Sequence, residues 1–424
     1  MTRPLRFCMI TTFYPPYNFG GDGIFVYRLS NELAKRGHHV EVVHCQDSYL
    51  LLADDAPKSA PQHHPNVVVH GLKSPFGFLS PLATQQTGYP IFKTSRLRGI
   101  LSTGFDVINY HNVSLVGGPG ILQYGDAIKL YTLHEFWLIC PTHVLFKNNV
   151  SACEQPSCFR CNLIYRRPPA LWRYTGLMQS AVRHVDTFIS PDRHTISKHR
   201  EFGLDLPMVH LPHFVPAGEE TAAENRREYE DLRGTPYFLF VGRLERIKGL
   251  QTVIPLFRRW SGARLLIAGT GSYGDELRRA AKGYDNIQFL GYQSGDRLDA
   301  LYRNAVAAVV PSINYEVAPP LVIMEAFLRR TPAIVRALGS MPESIEDSGG
   351  GLLYQSDDDL LNAMQNLVDN TALRNELGDR GYTAYQTQWT TEAYLERYLG
   401  LIERIAQAKG TGQIAQGNGM GRTA

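Results

Sequence analysis

The chain has 424 residues, enough for two or three domains, with two the natural division. Hydrophobic residues make up 44% and charged residues 20%, the balance of an ordinary soluble globular protein. A net charge of +3 gives no support to a nucleic-acid partner, and no apolar run approaches the roughly 18 residues of a membrane span. The opening MTRPLRFCMITTFY leads straight into a strand-loop-helix pattern, so it reads as a first strand and not a signal peptide. Six cysteines without a secretory signal point to a reducing compartment, and hence to the cytoplasm.

In chain order, Leu5 to Thr12 reads as a buried strand. It is followed by a loop with Gly20 and Gly21, a helix from Gly23 to Arg36 and a strand over HVEVVH. This is the opening of a Rossmann-like domain, and the glycine pair would let backbone N–H groups approach a phosphate. A plain flexible turn is the competing reading. Residues 46–95 read as a long loop with a weak strand at Asn66 to His70, then a helix near Pro90 to Leu101. FDVINY and KLYTL are further strands, ending at His111 and His134. Polar residues at strand C-termini are where α/β sheets hold ligands, although a lone histidine is more often a structural residue.

Cys140, Cys153, Cys158 and Cys161 fall in one insert at about 140–161. Four thiols could hold a structural zinc. The spacing matches no standard module, and reduced cysteines packing the insert, or a disulfide, stay open. Residues 155–185 carry five arginines (Arg160, Arg166, Arg167, Arg173, Arg183) among aromatics and no acidic residue. Such a stretch suits an anionic membrane surface or a solvated basic helix. DTFIS is a strand, and the first domain closes near residue 212.

Residues 213–234 have a linker profile, and the pattern then restarts over 235–385. Strands are expected at YFLFV, RLLIA, IQFL and AVAAVVP, with helices at Leu250 to Trp260, Asp275 to Lys282, Asp296 to Asn304 and Leu321 to Arg330. Gly242 and Arg243 follow the first of these strands, and Lys248 lies five residues on, placed to meet a diphosphate. Glu316 sits in the loop after AVAAVVP, and Glu325 lies on the next helix, whose N-terminus offers free N–H donors. AGTGSYG is a literal G-x-G-x-x-G with Gly269 and Gly271. The acidic residue that should close the next strand is absent, so the glycines read as a tight turn near a nucleotide and not as an NAD(P) site. Asp357 to Asp359 reads as helix-start acids, not a metal cluster. Helices are expected at Asp357 to Val368, Thr371 to Gln388 and Thr391 to Ala408, with a disordered tail over 410–424.

Taken together, YPPYNFGGDG, FDVINYHN, TLHEFWLICP, VGRLERIKGL, LLIAGTGSYGDEL, PSINYEVAPPLVIMEAF and GSMPESI resemble the retaining family-4 glycosyltransferases of the GT-B fold, from residue 5 to about 400. The resemblance implies an α/β architecture of two Rossmann-like domains facing across a cleft, an N-terminal acceptor domain, and terminal helices over 386–409 packing back on it. It implies a hexose-type sugar moved from a UDP- or GDP-linked donor to a glycan or other acceptor, with no cofactor or catalytic metal. The basic-aromatic stretch 155–185 points to a lipid-linked acceptor, as in exopolysaccharide or cell-surface glycan assembly. Gly20 and Gly21 match the loop facing the donor phosphate, and His134 the histidine beside the donor sugar. Arg243 and Lys248 match the cations that neutralise the leaving diphosphate. Glu316 matches the glutamate holding sugar hydroxyls, and Glu325 the one holding the ribose. Glu316 and Glu325 are nine positions apart, one more than the family motif has, which we assign to an extra residue in the VAPP loop. The location expected is the cytoplasm, with peripheral contact at the inner membrane face through residues 155–185. A GT-B epimerase or hydrolase, or a non-catalytic nucleotide-sugar binding module, is the alternative.

Overall fold

The computed structural model describes residues 3–410 except 54–56, 58–60, 218–228, 230, 231 and 233. Residues 411–424 of the expected tail and most of the expected linker therefore lie outside the described residues. Strands β1 (Arg6–Ile10), β2 (His39–Cys45), β3 (Val67–Leu72), β4 (Val107–Tyr110) and β5 (Ile128–Thr132) belong to a first sheet. A small hairpin, β6 (Phe146–Lys147) and β7 (Ser151–Ala152), follows, and β8 (Thr187–Ser190) and β9 (Met208–His210) complete that sheet. The order is β3-β2-β1-β4-β5-β8-β9, with every pairing parallel.

The second sheet contains β10 (Tyr237–Val241), β11 (Arg264–Ala268), β12 (Ile287–Gly291), β13 (Ala307–Val310), β14 (Ala333–Arg336) and β15 (Gly351–Tyr354). Its order is β12-β11-β10-β13-β14-β15, again all parallel. Parallel strands covered by helices on both faces need unbroken apolar runs, and β1 and β10 are buried along nearly their whole length. In each sheet the chain order reverses beside the first strand, between β1 and β4 and between β10 and β13. These are the switch points where a crevice opens at the strand C-termini.

Several local features differ from the expectations. The region read as a long loop contains helices Gln46–Leu52 and Leu79–Thr87. The helix expected over Leu250 to Trp260 is split into Leu250–Val253 and Leu256–Arg259, with Pro255, which cannot donate a helical hydrogen bond, at the break. Thr371–Ala384 ends in a π turn, Tyr385–Trp389. The helix Met341–Ser348 starts with a proline in its first turn. The hairpin turns on Asn148 and Asn149 at φ 53 and 58, the left-handed pair that a type I′ turn needs. Asp357 to Asp359 open a helix whose Ser356 and Asp359 form a reciprocal capping box.

The chain crosses between the domains twice at one place. Phe214 packs in the N-terminal core and Val215 in the C-terminal core. On the return, Trp389 packs in the C-terminal core and Tyr394 in the N-terminal one. The crossings are tied by Val215 N donating to the Trp389 carbonyl at 3.1 Å and the Tyr385 hydroxyl donating to the Val215 carbonyl at 2.7 Å. The terminal helix Thr391–Ala408 then lies on the first sheet, burying Tyr394, Leu395, Tyr398 and Ile402. The Tyr398 hydroxyl accepts from buried Asn109 Nδ2 at 3.0 Å. Tyr398→Ala is expected to cost about 3–5 kcal/mol and Tyr398→Phe only about 1 kcal/mol in urea denaturation. Equal losses would mean that the hydrogen bond, and not the ring packing, holds the helix.

Candidate active site

The loops that follow β1, β5, β10 and β13 meet at one cavity of ≈ 420 Å³ between the domains. Gly20, Gly21, Asp22, His134, Glu135 and His213 line one wall. Gly242, Arg243, Lys248, Ser312, Glu316, Leu321 and Val322 are on the other. A helix begins on each wall, Gly21–Lys35 after Gly20 and Leu321–Leu328 after Pro320, and neither N-cap residue makes a side-chain cap. Their first N–H groups have no intrahelical partner and carry the positive end of the helix dipole. Two such ends facing one cavity make a place for an anion.

Lys248 Nζ stands 2.7 Å from Glu316 Oε1, with both side chains largely buried. The same oxygen accepts from Ser312 Oγ at 2.8 Å, and Ser340 Oγ donates to the Glu316 carbonyl at 2.8 Å. Arg243 is more exposed and pairs with Glu245 at 2.5 Å. Both cations thus rest on carboxylates of their own domain.

The remaining glycines have a different task. Gly269 and Gly271 do not line the cavity. A Cβ on Gly269 would stand 1.8 Å from the Gly242 carbonyl oxygen, and one on Gly271 would stand 2.4 Å from that of Leu244. The G-x-G-x-x-G turn is therefore set by its packing under the loop that carries Arg243. Glu325 also lies off the cavity wall, where its Oε2 accepts from the Tyr302 hydroxyl at 3.0 Å.

His134 is the centre of a histidine chain. Its Nε2 is 2.9 Å from His111 Nδ1 and its Nδ1 is 3.1 Å from His213 Nε2. Burial pushes His134 down to about 3 and holds His111 and His213 well below the usual range. All three are neutral near pH 7, so the chain is directional, each ring donating to the next. Both nitrogens of His134 are engaged, and a ligand takes one only by displacing a neighbour.

Sequence reasoning passed over three residues of this site. Asp22 follows Gly20 and Gly21, and Asn112 Nδ2 donates to it at 3.4 Å. Glu135 follows His134 and binds His143 Nδ1 at 2.5 Å through Oε2, while its buried Oε1 has no partner. His213 stood at the start of the expected linker. The signal for the two acids was their place beside the glycine pair and the histidine. Nothing local marked His213.

The four cysteines of the insert are brought to one small separate cavity of ≈ 20 Å³, and all are free thiols. Burial, with Cys140, Cys158 and Cys161 nearby, pushes the Cys153 thiol up to about 11. Among the described residues, no group of three or more His, Cys, Asp or Glu side chains is disposed to hold a metal ion. Cys140 and Cys153 pack with Phe136 and Leu145, and Tyr315 and Val317 of the other domain rest against this cluster.

Burial, with Glu135 adding to it, pushes the Asp22 carboxyl up to about 6, against the Gly23 N–H, Asn112 and Arg243. Its ionisation therefore costs folded-state stability, a penalty absent below about pH 3.8 and complete above about pH 6. Asp22→Asn should raise the melting temperature more at pH 8 than at pH 4; a shift independent of pH would remove Asp22 as the buried acid. Gly269→Ala should lower stability by about 1–3 kcal/mol through the close approach to Gly242. The exposed helical Gly99, where a Cβ meets nothing within 4 Å, should instead gain about 0.5–1 kcal/mol as Ala. Denaturant melts of the two variants check the contrast.

Residues 19–219 match the family model described as Glycosyltransferase Family 4, and residues 222–384 match the one described as Glycosyl transferases group 1. A D-inositol 3-phosphate glycosyltransferase of Corynebacterium kroppenstedtii is 29% identical over 223 residues, 48% of this chain and 48% of its own length. The chain thus spans about half the length of that relative. The O-antigen chain mannosyltransferase C of Escherichia coli is 21% identical over 403 residues, covering 94% of this chain and 98% of its own. Among solved structures, a sucrose-phosphate synthase from Thermosynechococcus elongatus superposes with a TM-score of 0.72 at 21% identity, over 95% of this chain and 100% of that one. Anabaena HepE in complex with UDP gives a TM-score of 0.63 at 15% identity, over 97% and 100%. With the two family models side by side along most of its length, and two parallel-sheet domains facing one cavity, the chain belongs to the family 4, group 1 glycosyltransferases of the GT-B fold.

Proposed function

We propose that the protein transfers a hexose, with retention, from a nucleoside-diphosphate sugar to a hydroxyl of a glycan or lipid-linked acceptor in cell-surface polysaccharide assembly. The observation that carries this reading is the convergence of Arg243, Lys248 and two uncapped helix N-termini on a cavity that Glu316 also enters. A neighbour solved with UDP and a full-length relative named an O-antigen chain mannosyltransferase support the donor and acceptor classes. In the reaction the bond from sugar C1 to the β-phosphate oxygen breaks and its electron pair leaves with the diphosphate. The acceptor oxygen bonds to C1, and its proton passes to the departing phosphate. Charge grows on the leaving group, where preorganised cations and N–H groups are worth most.

The Lys248–Glu316 pair gives the site a switch of partners. A diphosphate on Lys248 would leave the Glu316 carboxylate to accept from sugar hydroxyls. Gly20 and Gly21 would bring backbone N–H groups to the phosphate, and Gly242 leaves room beside Arg243. Glu325 is assigned to the ribose, with one carboxylate oxygen steadied by Tyr302. His134 borders the sugar, and its two histidine neighbours fix its orientation.

Asp22 and Glu135, two carboxylates on the same wall, favour a second reading. They could serve acid-base chemistry in an epimerase or hydrolase, which would consume nucleotide sugar with no acceptor present.

Peripheral contact with an anionic membrane belongs to the same proposal. Phe159, Leu163, Leu171 and Tyr174 are 54–65% exposed, beside the exposed Arg160, Arg166 and Arg167. Arg173 and Trp172 of the same stretch are turned inward: the guanidinium stacks on Trp137 and Trp172, and the Trp172 indole donates to the Gln85 carbonyl at 2.9 Å. No described helix is long and apolar enough to cross a membrane.

Lys248→Ala should lower kcat for a nucleotide-sugar donor by about 100 to 1,000-fold with an unchanged melting temperature; near-normal turnover would overturn the phosphate assignment. The protein should sediment with vesicles containing anionic lipid at low salt and release at high salt. Leu171→Asp with Tyr174→Asp should abolish this. Equal recovery with uncharged vesicles, or none with either, would remove the membrane reading.

A further inference from the structure

The helix Arg193–Glu201 begins at the boundary between the domains, and groups from both finish its N-terminus. Asp192 is its N-cap and is 1% exposed. Asp192 Oδ1 accepts from Thr195 N at 2.5 Å and Oδ2 from Thr195 Oγ1 at 2.9 Å, an ordinary cap. The same Oδ2 also accepts from the backbone N–H of Ala318 at 2.9 Å, in the loop that carries Glu316. Ala318 sits at φ 66, a conformation a non-glycine residue keeps only where its surroundings hold it.

The first two N–H groups of the helix, which have no intrahelical partner, donate across the boundary as well. Arg193 N and His194 N reach the Glu343 carboxylate at 2.8 and 2.6 Å. Glu343 lies in the first turn of Met341–Ser348 in the other domain, and the Arg193 guanidinium binds Asp347 of that helix at 2.8 and 3.0 Å. Tyr315, next to Glu316, rests on His194 and Lys198 at 5.0 Å each. The segment Tyr315–Ala318 is therefore held on its own side by Ser340, and on the far side by hydrogen bonding and ring contacts from this helix and by apolar packing of Tyr315 and Val317 on the cysteine insert.

Fold stability alone does not call for an acid here. Burial pushes the Asp192 carboxyl up to about 7; the Thr195 and Ala318 N–H groups oppose the rise, and Glu343 adds to it. Ser or Asn would cap the helix without that penalty. What neither can do is serve Thr195 N, Thr195 Oγ1 and Ala318 N together.

We propose that Asp192 and Glu343 are positioning residues, a helix cap divided between the domains that is complete only when the cleft is closed and that then sets the Tyr315–Ala318 loop, and with it Glu316, for the donor sugar. When the domains part, Glu343 withdraws and Arg193 N and His194 N turn to water. Asp192 keeps Thr195 but releases Ala318, and the loop loses its hydrogen-bonded outer support. Closure thus completes the sugar pocket. The link to the sugar rests on the nucleotide-sugar reading of the cavity; the divided cap does not.

Asp192→Ser keeps a helix cap but is too short to hold Ala318 as well, and Glu343→Gln puts an amide N–H against one of two donors. Small-angle scattering of the unligated proteins should give a larger radius of gyration for both variants than for wild type, with melting temperatures close to wild type. In turnover with the nucleotide sugar, the donor KM should rise about tenfold, as for loss of a buried charged hydrogen bond. Affinity for the free nucleoside diphosphate should fall less than threefold. Unchanged scattering in both variants would overturn the divided cap. Wider scattering with unchanged donor KM would overturn its role in placing the sugar loop. If wild type itself neither binds nor turns over any nucleotide sugar, the reading of the cavity fails, and the scattering result still decides the cap.

Discussion

The structure depends on one geometric constraint: two parallel sheets face each other by their strand C-termini. Helices that follow the strands beside each switch point start at the cleft, so unpaired N–H groups and positive dipole ends gather there. At the central cavity two helix N-termini are left without side-chain caps. Lys248 and Arg243 add full charges, and Glu316, Asp22 and Glu135 supply the opposite sign around them. The raised Asp22 carboxyl and the Lys248–Glu316 pair both follow from setting acids and cations in so confined a space.

The second organising feature is how the domains hold one another. The chain crosses between them at a single place, where Val215 and Trp389 are hydrogen bonded. The terminal helix then fastens the second domain to the first through Tyr398 and its neighbours. Beside that crossing, where the helix Met341–Ser348 shares its apolar cluster with Val215 and Trp389, the domains also meet through polar groups of Asp192, Arg193, Glu343 and Asp347. The cysteine insert lies nearby, with Val317 and Tyr315 packed against it.

The sequence made the two Rossmann-like domains legible because parallel strands are unbroken apolar runs and their connecting helices are amphipathic. β15 was missed because GLLY is short and follows two glycines, and the helix Met341–Ser348 because it is polar apart from Met341 and Ile345. The apolar periodicity of Leu250 to Trp260 runs through Pro255, but the missing N–H at that position splits the helix. At the site, the resemblance named residues by motif, and Gly20, Gly21, His134, Gly242, Arg243, Lys248 and Glu316 do line one cavity. Gly269 and Gly271 pack under the loop that carries Arg243, and Glu325, on the helix Leu321–Leu328, faces Tyr302, placements that motif spacing does not record. Asp22, Glu135, His213 and Asp192 owe their environment to residues far along the chain, Asp22 to Arg243 and Asp192 to Ala318 and Glu343, and no local pattern reports burial of that kind.

Calorimetric titration of the full chain with UDP, GDP and ADP and the matching monophosphates addresses the cavity most directly. One base should bind as the diphosphate at least tenfold more tightly than as the monophosphate, and Lys248→Ala should erase that preference while leaving the monophosphate affinity in place. Equal binding of mono- and diphosphates, or a preference that survives Lys248→Ala, would contradict the assignment of the cavity to a leaving diphosphate.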